Sequence, residues 1–134
     1  MPPGALAVVA AGIALCFAAR ALSVGPDWGP PYIDAIGPRN GADSVATGAL
    51  AYAVFTKPMD RVSAERAFVL RRARDGSVVG GRYEWYGPVG MVFVPDGRLR
   101  PNTRYVAWVA GRARDTGGES MPGRLRWEFR TGPE

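Results

Sequence analysis

The stretch Leu99-Arg100-Pro101-Asn102-Thr103-Arg104-Tyr105 decides the fold. It reads Leu-x-Pro-x-Thr-x-Tyr and leads directly into a strand-like run, Tyr105-Val106-Ala107-Trp108-Val109. Proline fixes φ and has no N–H to donate, so Pro101 suits a bend between strands and not a ladder position. A tyrosine just past such a bend can turn its phenol back onto upstream backbone and pin the corner, a device of two-sheet antiparallel sandwiches. Leu99, Pro101, Thr103 and Tyr105 are therefore expected to determine the fold. Tyr105 should be buried, its hydroxyl bonded to backbone upstream.

Reading outward from that corner, the last strand shows the cleanest pattern. Leu125, Trp127 and Phe129 alternate with Arg124, Arg126, Glu128 and Arg130, so one face is apolar and the other charged. Before the corner, residues 91–94 form an apolar strand closed by Pro95-Asp96-Gly97. Residues 68–72 and 78–85 flank Asp75-Gly76, a hairpin turn signal. Asp60 and Ser63 are cap candidates, which predicts one or two helical turns over 60–67. Residues 49–56 form a strand stopped by Lys57-Pro58, and a short first strand, 32–36, ends at Gly37-Pro38. Ser44-Val45 is expected to pair only briefly. Seven strands with turn signals every eight to twelve residues, and no helix-length pattern beyond residue 22, predict an all-β, seven-stranded immunoglobulin-like Greek-key β-sandwich.

A chain of 134 residues fits one domain with a real core. The net charge is +5, and almost all of the positive charge is arginine, Lys57 being the only lysine. The arginines alternate with inward residues and form no basic block, so nucleic acid is not an expected partner. With one cysteine, Cys16, and no histidine, an intrachain disulfide and the usual Cys/His zinc sites are excluded.

The N-terminus reads as an export segment. Residues 5–19 are uncharged and apolar, followed by Ala19-Arg20-Ala21 with small residues at the positions a signal peptidase requires. As a helix, fifteen residues reach roughly 22 Å, short of about 30 Å of hydrocarbon. Three fates stay open for residues 1–21: cleavage near Ala21, lipidation at Cys16, or retention as a membrane tether through residues 5–19. All three place the protein outside the cytoplasm. Residues 22–31 hold three prolines and two glycines and read as an extended linker, leaving 32–132 as the folded domain.

On these residues the chain resembles the bacterial Ig-like (Big) domains of S-layer and cell-envelope proteins. The matching pieces are Gly37-Pro38 with Gly41-Ala42, Phe55-Thr56-Lys57-Pro58-Met59-Asp60, and Asp75-Gly76 with Val79-Gly80-Gly81. Further along come Phe93-Val94-Pro95, the Leu99–Tyr105 corner, Asp115-Thr116-Gly117-Gly118 with Met121, and Phe129-Arg130-Thr131. The resemblance covers about a hundred residues. It implies an extracytoplasmic spacer or interaction module, and no catalytic activity.

Catalytic constellations are sparse. Without histidine no Ser/His/Asp or Cys/His arrangement exists. The carboxylate pairs Asp60 with Glu65 and Asp115 with Glu119 fall on turn positions and read as caps or turn supports. Asp115-Thr116-Gly117-Gly118-Glu119 offers oxygen ligands on a flexible turn, which leaves calcium open there. The Gly-Gly pairs lack a following Lys-Ser/Thr, so no phosphate loop and no cofactor is expected. If Tyr105 points inward, Val106 and Trp108 point outward; if Phe55 is core, Tyr52 lies on the opposite face. Trp108, Tyr52 and Val106 are the expected interaction surface, with an unknown protein or envelope component as partner. Arg98, Arg100 and Arg104 form either a solvated rim or a site for anionic glycans or lipid headgroups. The expected function is an exported, non-enzymatic module of protein or surface interaction; the alternative is a purely structural spacer or a remnant of a larger surface protein.

Overall fold

The computed structural model describes residues 29–133. The expectations for the leader (residues 1–21 with Cys16 and the 5–19 tether) and for linker residues 22–28 lie outside that range. Eight strands and one short helix follow in order: β1 Ile33–Gly37, β2 Ala42–Val45, β3 Ala51–Phe55, α1 Arg61–Ala67, β4 Phe68–Arg72, β5 Gly81–Tyr86, β6 Gly90–Pro95, β7 Arg104–Val109 and β8 Leu125–Thr131. They build two four-stranded sheets, β1-β3-β6-β5 and β2-β8-β7-β4. Every pairing is antiparallel except β2 with β8. This is the immunoglobulin arrangement with its first strand divided between the sheets.

That division accounts for eight strands where seven are predicted. The chain leaves β1 at the cis Gly37-Pro38 bond, turns at Gly41 (φ +79°) and pairs with the other sheet. Short length, a positive φ at Ser44 and an irregular parallel register hide β2 from period-two reading.

A second difference concerns Asp75-Gly76. β4 and β5, the arms expected of one hairpin, lie in different sheets. The turn itself forms: Arg72 N–H donates to Ser77 O (3.0 Å) and Val79 N–H to Leu70 O (2.8 Å). The ladder then stops, and the chain crosses to β6 at Gly80-Gly81. A Cβ at Gly81 would sit 2.4 Å from Val94 O and 2.6 Å from the Phe93 ring, so only glycine passes this close.

The core lies between the sheets. β8 contributes Trp127 and Phe129, and β7 contributes Tyr105, Ala107 and Val109, all buried. Phe68 on β4 joins the layers, packing on Phe93 of β6 at 5.1 Å and on Trp127 at 6.3 Å between ring centroids. Asp60 caps α1 by accepting from Ser63 N–H at 3.3 Å. The helix then closes one end of the sandwich, burying Ser63, Ala64 and Ala67.

At the corner, Tyr105 is 2% exposed and its Oη accepts the Arg100 N–H at 2.8 Å. Thr131 on β8 holds the same residue from the other side: its Oγ1 donates to Arg100 O and accepts from Thr103 N–H (2.9 Å). Arg100 is thus gripped at both its N–H and its C=O. Leu99 is buried, its N–H donating to Thr47 O at 2.7 Å. Asn102 takes φ +52° in the bend after Pro101, a conformation asparagine tolerates. Thr103 Oγ1 donates to Pro101 O at 2.9 Å.

Candidate interaction face

The register fixes which side chains leave the sandwich. On the outward side of β2-β8-β7-β4, Val69 stands beside Trp108 and Trp108 beside Arg126. The next row is Arg71, Val106 and Glu128, and the last places Arg104 opposite Arg130. Trp108 is half-buried, with the Arg71 guanidinium over its ring at 5.2 Å from the centroid. Val106 faces outward as expected, yet its flanking Arg71 and Glu128 leave it only 7% exposed. Arg126 and Glu128 pair at 3.1 Å along β8.

Tyr52 is not part of this face. It pairs with Val92 in β1-β3-β6-β5 and points outward from that sheet, on the opposite side of the molecule, its ring lying over Gly37. Alternation along one strand tells which residues share a side, but not which sheet the strand joins. The expected trio therefore separates into Trp108 with Val106 on one face and Tyr52 on the other. On this second face Val54 and Val92 are fully buried. Its charged pair, Arg82 and Glu84, is closed at 3.0 Å.

Trp85 points inward, stacked on Phe55 at 6.5 Å, and its indole N–H donates to the Glu65 carboxylate at 2.8 Å. Burial and the neighbouring Glu65 push the Tyr83 phenol up to about 12, and its hydroxyl donates to Glu65 O at 3.1 Å. Glu65 is thereby committed to holding β5 against α1. Two hydrogen bonds from Ser77 lower the Asp75 carboxyl and brace the 75–77 turn.

Two further carboxylates are also engaged. Asp60 accepts from Ser63 and faces Arg114 at 3.6 Å. Asp115, nearly buried, takes the Lys57 ammonium at 3.8 Å and the Glu119 N–H at 2.9 Å. The cation at this loop is thus a lysine, brought from 58 residues upstream by the edge of the sandwich, a meeting that loop composition does not announce. Among the described residues no three His, Cys, Asp or Glu side chains converge as a metal site. A groove of about 550 Å³ between α1 and this loop is lined by Met59, Asp60, Arg61, Val62, Arg114 and Asp115. Its two carboxylates are the engaged pair just described. Arg98 sits apart from the sheet face, donating from Nε to Thr47 Oγ1 at 3.2 Å.

The bacterial Ig-like domain family matches this chain over residues 27–131, and the chain belongs to that family. Among solved structures it is similar to an L,D-transpeptidase from Mycobacterium smegmatis, at 26% identity and TM-score 0.56, over 78% of this chain and 41% of that one. It is also similar to the N-terminal part of the bacterial S-layer protein SbsC, at 16% identity and TM-score 0.56, over 77% of this chain and 24% of that one. CopC from Methylosinus trichosporium OB3b shares the fold at 13% identity and TM-score 0.63, over 78% of this chain and 95% of that one. The match spans well under half of the transpeptidase and S-layer chains. A comparison with curated proteins finds no match.

Proposed function

We propose that the domain is a non-enzymatic interaction module of the bacterial cell envelope, acting outside the cytoplasm. Its contact surface is the outward side of β2-β8-β7-β4 around Trp108. The observation that carries this reading is a half-buried tryptophan set among strand side chains on an open sheet face. Aromatic and arginine side chains are the residue types that dominate contact energetics, and both meet here. Membership of the bacterial Ig-like family and the likeness to an S-layer domain support the envelope location. Engaged carboxylates and a chain without histidine support a role without catalysis.

A structural spacer is the second reading. What favours it is that the fold occurs as 24% of the SbsC fragment and 41% of the transpeptidase, one domain within a longer chain. Co-sedimentation of the full chain with detergent-extracted envelope fragments separates the two. The interaction reading expects wild-type protein in the pellet and Trp108→Ala, with unchanged circular dichroism, largely in the supernatant. Wild-type protein that stays in the supernatant supports the spacer, and Trp108→Ala that pellets like wild type removes this face from the account.

A further inference from the structure

The two outward faces differ sharply in charge. The outward positions of β4, β7 and β8 carry four arginines (71, 104, 126 and 130) and one acid, Glu128, a net of +3 from 4 − 1. Outward positions of β3, β5 and β6 carry only Arg82 and Glu84, which pair with each other. The excess positive charge is therefore gathered on the Trp108 side.

Its arrangement is costly to the fold. Thr131 N–H donates to Thr103 O at 2.9 Å, which makes Thr103 and Thr131 a hydrogen-bonded pair. Arg104 and Arg130, one step along, then occupy a non-hydrogen-bonded pair, where opposite side chains stand closer together. Like charges directly opposite destabilise a sheet. Both arginines are exposed, and no salt bridge joins either to a carboxylate among the described residues. The nearby acid of β2, Asp43, has its Oδ1 on the Ser44 N–H at 2.9 Å. In the adjacent outward row, Arg71 lies over Trp108 with its Nε buried and without a hydrogen-bond acceptor. Three of the four outward arginines thus lack a carboxylate partner among the described residues, Arg126 alone being paired.

We infer that this face binds a polyanionic glycan, a sugar chain bearing carboxylate or phosphate groups. Its anionic groups would seat between Arg104 and Arg130, and a sugar ring would lie against Trp108. Trp108 lies four residues along β7 from Arg104, about 13 Å, so the occupant must be a chain longer than one sugar ring. Arginine forks suit carboxylate and phosphate alike. A lipid surface fits less well, because Val78, bridged to Arg71 at the edge of this face, is the strongly exposed apolar residue it shares, Tyr32 and Val62 lie off it, and Trp108 does not protrude.

The inference rests on the contact reading above and is tested apart from it. Titration of the full chain with oligogalacturonate, a carboxylated glycan, is followed by calorimetry, with cellohexaose as the uncharged control. Binding is expected for oligogalacturonate alone, weakening as NaCl rises from about 50 to about 300 mM. R104Q/R130Q is expected to bind about tenfold more weakly while melting no lower than wild type, since the variant relieves a repulsion. R82Q, on the opposite face, is expected to bind as wild type. Absence of oligogalacturonate binding, or undiminished binding by R104Q/R130Q, overturns the inference. Retention on phosphatidylglycerol vesicles without oligogalacturonate binding overturns it in favour of lipid. If Trp108-dependent envelope sedimentation persists in R104Q/R130Q, the glycan inference falls and the contact face stands; if sedimentation is absent altogether, both fall.

Discussion

Replacing Tyr105 by phenylalanine removes one oxygen from the corner and leaves the ring, with its stack on Phe129 at 5.7 Å, in place. The oxygen accepts the Arg100 N–H at 2.8 Å from a side chain that is 2% exposed. A net hydrogen bond contributes about 1 kcal/mol, and a stranded, partly buried N–H costs up to about another 1 kcal/mol, so Tyr105→Phe should destabilise by about 1–2 kcal/mol. Thr131→Val removes the opposing grip on Arg100 O and the acceptor for Thr103 N–H, and should cost about 1–2 kcal/mol as well. Because both side chains hold the same residue, losing one loosens the bend that the other needs. The double variant should therefore be less destabilised than the sum, with a coupling of about 0.5–1 kcal/mol. Urea unfolding at equilibrium measures all four corners of the cycle, provided the slope with denaturant stays constant. Strict additivity, or a Tyr105→Phe protein as stable as wild type, would refute the idea that Arg100 is clamped from two sides.

Gly81→Ala should destabilise by about 2 kcal/mol or more, since its Cβ would press on Val94 O, a backbone atom that cannot move aside; thermal melting reads the loss. The Tyr83 phenol, raised to about 12 in the fold, ionises more readily in the unfolded chain, near 10. Its contribution is complete below about pH 10 and is lost as pH climbs toward about 12, because there the folded state binds more protons than the unfolded one. Tyr83→Phe should therefore flatten the alkaline fall in stability relative to wild type, as followed by urea midpoints across that range. Asp60→Ala removes the cap of α1 and should cost about 1 kcal/mol in the same denaturation assay.

Much of this architecture was legible from local chemistry. β4 and β8 follow from their own periodicity, and the Asp60 cap announces α1. The Leu99–Tyr105 corner could be read because a bend and a tyrosine close in sequence make their bond locally. Partners distant in sequence were harder. Nothing near Asp75-Gly76 says that the chain will change sheets at Gly81, since the steric reason sits on Val94 and Phe93. Tyr52 and Trp108 look alike as outward aromatics on apolar strands, and only the pairing of β3 with β6 and of β7 with β8 sets them on opposite sides. Arg104 and Arg130 are 26 residues apart and become neighbours only through the β7–β8 register, so their mutual repulsion is invisible along the chain.

The divided first strand has a mechanical consequence. β2 runs parallel to β8, joined by Gly41 N–H to Glu128 O at 2.7 Å and Gly132 N–H to Val45 O at 3.0 Å. Tension carried through the two flanks of the domain pulls β2 and β8 past each other along their length. The bonds between them are then strained together, as a lap joint is, instead of parting one after another like a zip. β1, anchored on the opposite sheet, yields separately from this joint. A domain wired in this way resists stretching at the β2–β8 joint, before load reaches β7 and its Trp108.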